Sequence, residues 1–100
     1  MQMNQIRYFL ALYDERNFTR AAKRCGVSQP SLTNAIRRLE RTLGGSLFDR
    51  TSRNAEPTEL GQTIRPYLEQ ISKHADEVKR KAENSSQHSE DLCRLYSEGQ

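Results

Sequence analysis

Residues 18–37 constrain the fold more than any other stretch of this chain. Asn17 or Thr19 can cap a short helix that runs to about Cys25. Gly26 supplies a left-handed position that ends it. Ser28 can cap the next helix. Pro30 falls in its first turn, where a missing N–H has no intrahelical partner to lose. Two helices joined by so short a turn cross closely, and a close crossing needs small side chains. Ala21 and Ala22 provide them, with Ala22 four residues ahead of Gly26. Val27 fills the space under the turn.

That layout is a helix-turn-helix. Its second helix reads from Ser28 to about Leu43, where Gly44-Gly45 stops it. Leu32, Ala35, Ile36, Leu39 and Leu43 form its core-facing stripe. The opposite face carries Thr33, Asn34, Arg37, Arg38 and Arg41. Short polar groups near the start and arginines further on suit a helix whose first turns enter a major groove and whose later turns reach phosphate. Gln29, Thr33 and Asn34 are therefore the expected base readers. Ser31 lies further round the helix and is expected at the backbone, with Arg37, Arg38 and Arg41.

Charge supports that partner. Residues 1–53 hold ten Lys/Arg and four Asp/Glu, a balance of +6, while residues 54–100 hold six and nine, a balance of −3. The cationic half is the half with the helix-turn-helix, as a reader of double-stranded DNA needs. Cys25, His74, His88 and Cys93 have no zinc spacing, and two cysteines make no disulfide framework. No phosphate-loop or nucleophile-elbow pattern occurs, so neither an enzyme nor a cofactor is expected. The longest apolar run, residues 8–13, is too short to span a membrane. A cytoplasmic protein is expected.

The flanks complete the plan. Ile6, Phe9, Leu10 and Tyr13 recur at helical spacing within Asn4–Arg16, with Tyr8 and Leu12 on another side. Leu47–Arg50 reads as a short strand and residues 51–57 as a loop or wing. Thr58 can cap a long helix, with Glu59 in its first turn, reaching Ala82 or Glu83. Pro66 should bend that helix. The polar stretch 84–100 reads as a flexible tail with a weak apolar cluster at Leu92, Leu95 and Tyr96.

Leu60, Ile64, Tyr67, Ile71, Ala75, Val78 and Ala82 step by four and three, the spacing of a seam between two helices, and Leu68 widens it. A homodimer through this helix is expected, with Tyr8 and Leu12 of the first helix as candidates to pack on the partner. The alternative is a helix lying on its own domain's core.

The segments Arg7-Tyr8-Phe9, Asn17-Phe18-Thr19-Arg20-Ala21-Ala22, Val27-Ser28-Gln29-Pro30-Ser31, Ile36-Arg37-Arg38-Leu39-Glu40, Leu43-Gly44 and Leu47-Phe48-Asp49-Arg50 resemble the N-terminal region of bacterial LysR-type transcription regulators. The resemblance covers about residues 4–83. It implies a mostly α fold, a winged helix-turn-helix of three helices and a short two-stranded wing, followed by a long dimerisation helix. The implied division is 1–57 for the DNA-binding domain, 58–83 for the linker helix and 84–100 for the tail. It implies that Gln29 and Pro30 open the recognition helix at the bases, with Thr33 and Asn34 following. It places Arg50 and Thr51 at phosphates and Arg53 in the minor groove. Three positions depart from the family: Pro57, expected to leave the second wing strand short or unpaired, Leu60 where the family prefers Ala, and Cys25 where it prefers Leu.

The family's effector domain should begin as an alternating apolar strand, and residues 84–100 show none. No small-molecule site is expected in this chain. A longer protein of this kind could form a tetramer. The leading expectation is a sequence-specific regulator. The alternative is an effector-less interaction protein that pairs with full-length relatives through the linker helix.

Overall fold

The computed structural model describes residues 1–51 and 54–84. Three helices come first: α1 (Met3–Glu15), α2 (Phe18–Cys25) and α3 (Gln29–Leu43). A hairpin of β1 (Phe48–Thr51) and β2 (Asn54–Pro57) follows, and then α4 (Glu59–Glu83). The architecture is a winged helix-turn-helix continued by a long helix. Apart from Asn84, the tail read at 84–100 lies outside the described residues.

The helix ends follow from local chemistry. Gln2 and Gln5 form a capping box at the start of α1. Asn17, rather than Thr19, caps α2: its side-chain oxygen accepts the Arg20 N–H at 2.9 Å. Gly26 closes α2 at φ 68°, and the Val27 N–H returns to the Ala22 carbonyl at 3.0 Å. Any side chain at 26 would be strained in that left-handed turn. Ser28 caps α3 and Thr58 caps α4.

The wing is tied to the body along both strands. Phe48 pairs with Pro57 and Thr51 with Asn54. Pro57 therefore does not leave its strand unpaired. It stands at the strand's last position, two residues after Ala55, whose N–H points away from β1, so the N–H that proline lacks is not part of the ladder; the Thr58 N–H continues the ladder to the Leu47 carbonyl at 3.0 Å. The other edge of β2 meets the α1–α2 joint, where the Ala55 N–H donates to the Arg16 carbonyl at 3.0 Å. Arg16 holds a left-handed φ of 57° there. Its side chain stacks over Tyr13 and donates to the Tyr13 carbonyl at 2.6 Å, which keeps a non-glycine residue in that conformation.

Phe9, Leu12, Leu32, Ile36, Leu39 and Phe48 are among the side chains that fill the core, with the Phe9 and Phe48 rings 5.4 Å apart. Leu12 is fully buried, so it is not the partner-facing residue the sequence reading allowed. With α2 and α3 packed on one side of α1 and α4 on another, its second apolar side also faces this chain's own core. Tyr8 is half-buried against the same core.

The first turns of α4 belong to that core as well. Gly61 lies so close to Leu47 that a Cβ would strike the Leu47 carbonyl. Leu60 and Ile64 pack on the core and Leu68 is 4% exposed. Leu68 is thus a core residue and not part of a free seam, because α4 lies on α1 there. The helix continues as one piece through Pro66, which faces solvent. The Gln62 carbonyl that loses its donor to Pro66 belongs to an exposed residue.

Candidate nucleic-acid interface

The outward side of α3 is built by its cap and its period. Ser28 starts the helix, and Gln29, Pro30, Thr33, Asn34 and Arg37 then line one shallow hollow. Arg41 is exposed one heptad beyond Asn34, on the same side. Thr19 of α2 donates its hydroxyl to the Gln29 Oε1 at 3.3 Å. Ser31 and Arg38 lie round the flank, in a second hollow with Gln2, Asn4, Tyr8 and Val27, and Asn34 borders both. The Ser31 hydroxyl accepts from Ser28 Oγ at 2.9 Å.

The arginines of the molecule divide by partner. Arg24 sits 3.2 Å from Asp14 and 3.4 Å from Glu15. Arg65 meets Glu69 at 2.8 Å and stacks over Tyr13. Arg16 meets Glu56 at 3.4 Å. Arg37, Arg38 and Arg41 are exposed and form no ion pair among the described residues. Three unpaired arginines therefore stand together on α3, open to an anionic partner, while Arg7, Lys23 and the run Lys79-Arg80-Lys81 are exposed without an ion pair elsewhere among the described residues.

The wing is only partly described. Arg50 lies on β1, donating to Glu40 Oε1 at 3.0 Å with its guanidinium 5.8 Å from the Phe18 ring. Thr51 ends β1. Arg53, assigned to the minor groove from the resemblance, lies outside the described residues. Two residues that the sequence reading did not place at this face belong to it: Glu40, which holds Arg50, and Thr19, which holds Gln29. Their partners stand ten residues away, beyond the reach of helical periodicity.

On α4 the expected seam splits. Tyr67 is 69% exposed, Val78 68% and Ile71 37%, with Ala75 half-buried between them. From Lys73 to Asn84 every residue except Ala75 is exposed. No helix among the described residues is long and apolar enough to cross a membrane.

Comparison with known proteins agrees with this geometry. Residues 3–62 match the family described as bacterial regulatory helix-turn-helix proteins, lysR family. The transcriptional regulator BudR of Klebsiella aerogenes is 48% identical over 64 residues, which cover 64% of this chain and 45% of the relative. The DNA-binding transcriptional dual regulator OxyR of Escherichia coli K12 is 39% identical over 92 residues, covering 92% of this chain and 29% of the relative. The chain thus spans less than half the length of either. The solved DNA-binding domain of CbnR in complex with DNA superposes with a TM-score of 0.80 at 31% identity, over 86% of this chain and 99% of that one. The BenM DNA-binding domain on its benA site 1 DNA gives 0.78 at 30% identity, over 86% and 100%. Caps, wing pairing and family match converge on the same residues, and the chain belongs to the LysR family of bacterial regulatory helix-turn-helix proteins.

Proposed function

We propose that this chain is the sequence-specific DNA-binding part of a transcription regulator, acting on double-stranded DNA in the bacterial cytoplasm by binding alone. The observation that carries this reading is the cluster of unpaired arginines beside the Gln29–Arg37 hollow. Helix α3 enters the major groove. Gln29, Pro30, Thr33 and Asn34 face base edges, where a carboxamide matches the adenine donor–acceptor pair and the threonine and proline carbons suit a thymine methyl. Arg37 and Arg41 follow toward phosphate, with Ser31 and Arg38 on the flank. Arg50 and Thr51 meet the backbone at the wing, and Arg53 takes the minor groove. Residues 1–57 form the DNA-binding domain and 58–83 the linker. Two copies pair through Tyr67, Ile71, Ala75 and Val78, with Leu60 and Ile64 at the edge of the seam.

Selection of bound sequences from a random duplex pool tests the reading. The expected product is two related half-sites about one helical turn apart, roughly 34 Å. Asn34→Ala then costs about 1–3 kcal/mol on the selected duplex and almost nothing on a scrambled one, because a neutral side chain neutralises no phosphate. An equal loss on both duplexes removes Asn34 from the reading face. The exposed Tyr67, Ile71 and Val78 also favour a second reading, in which the same edge pairs this chain with a longer relative. Co-purification with such a relative, without specific binding by the isolated homodimer, selects that reading.

A further inference from the structure

Glu40 is a carboxylate on the very helix that gathers the unpaired arginines. A bare negative charge there would repel phosphate. Its two oxygens are instead engaged. Oε2 accepts the Leu47 backbone N–H at 2.8 Å and the Ser46 hydroxyl at 3.4 Å, and Oε1 accepts from Arg50 at 3.0 Å. The side chains of Glu40 and Arg50 are 15% and 29% exposed, so solvent screens this pair less than a surface pair. The carboxylate therefore joins α3 to the turn before β1 and to β1 itself. Phe18, at the start of α2, backs the guanidinium from another side. Glu40 engages one Nη of Arg50, and the guanidinium has further N–H donors for an anion.

We propose that Glu40 is a positioning residue for DNA binding, presetting Arg50 and the start of the wing against the recognition helix before the duplex arrives. This rests on the reading of Arg50 as a phosphate contact. A side chain already held in place loses little rotamer freedom on binding, so less of its contact energy is spent on ordering.

The test is Glu40→Gln in the whole chain. Glutamine keeps the shape and an oxygen for the Leu47 N–H but ends the ion pair with Arg50. Affinity is measured on the selected duplex and on a scrambled one over a salt series, beside thermal melting. Affinity should fall roughly three- to tenfold on both duplexes. The log–log salt slope should shrink by about one, as for one lost phosphate contact. In an Arg50→Gln background the same change should alter neither quantity, since Glu40 acts through Arg50.

Tighter binding with a steeper slope overturns the proposal, because Glu40 would then only mask the Arg50 charge. An unchanged slope overturns it too, whatever the melting temperature does. Arg50→Gln alone separates the two layers: if its slope equals the wild type's, the phosphate reading of Arg50 fails. If its slope shrinks while that of Glu40→Gln does not, only the positioning role fails. Should Glu40→Gln not fold, Arg50→Lys decides. Lysine keeps the charge but lacks the planar fork that fits between Glu40 and Phe18. A slope reduced as far as that of Arg50→Gln supports the proposal, and a wild-type slope sinks it.

Discussion

Leu60, Ile64 and Leu68 turn one edge of α4 into the chain's own core, whereas Tyr67, Ile71 and Val78 leave the adjoining edge facing solvent. The first set steps by four and four, and the second, with Ala75 included, by four, four and three, all helical spacings. The spacing reports that a face is apolar, and it is silent on whose surface covers it. Identity of the partner is a tertiary fact. Gly61 lets α4 lie directly against the Leu47 backbone, and the first set packs on the core there. Tyr67 and Ile71 point away from the body, and from Lys73 onward the helix has run past it, at about 1.5 Å per residue, so that none of the described residues covers Val78.

The largest test of this comparison sets Leu68 against Val78. Leu68→Asp should destabilise the fold by about 4 kcal/mol or more, from lost packing and a charge placed in the core. Val78→Asp, at a site 68% exposed, should leave the body folded. Thermal melting of the wing and helices by circular dichroism checks both. Similar losses in the two variants would break the distinction between the edges.

The next test asks what covers the exposed edge. Ile71→Asp should keep the helical spectrum and convert the chain to monomer by sedimentation. Affinity for a two-half-site duplex should then fall by about 10²-fold, since the second half-site no longer binds as an intramolecular event. Binding to a single half-site should hardly change. A dimer that survives Ile71→Asp moves the seam elsewhere, the half-buried Tyr8 and Leu10 on α1 being the next apolar groups to examine.

What was legible in the sequence is the part written in neighbouring residues. Ser28 and Thr58 cap helices as their positions imply, Gly26 and Gly44 end them, and Leu32, Ala35, Ile36 and Leu39 are buried together. Gln29, Pro30, Thr33 and Asn34 come to one hollow because they occupy the first turns of one helix. What was not legible depends on distant contacts. Leu12 was placed by the helices that pack on both sides of α1. Pro57 stayed in its ladder because its nitrogen faces away from β1, on the side where Ala55 meets Arg16. Glu40 carries no mark in its own turn of helix, since the groups it holds lie six to ten residues on.

The smallest expected effect lies at the border of the two regions, at Cys25. Its half-buried thiol lines a groove with Arg7, Tyr8, Leu10, Ala11, Arg24 and Ser72, where the body gives way to the projecting part of α4. Burial pushes the thiol pKa up, and the opposing pull of Arg24 and Arg7 is weaker. Folding therefore favours the neutral thiol. The associated stability is present in full below the pKa of the unfolded chain and is lost as pH rises through the higher folded value. The thiolate is the reactive form, so alkylation of Cys25 should be slower in the folded chain than in urea, with its rise displaced to higher pH. A Cys93→Ser background isolates the signal, and mass spectrometry over a pH series gives the rates. Cys25→Ser should cost roughly 1 kcal/mol of stability or less, as expected for a small, partly exposed site. Equal alkylation rates in folded and unfolded chain would mean that α4 does not close this groove, and that the covered part of the helix ends nearer Leu68 than Ser72.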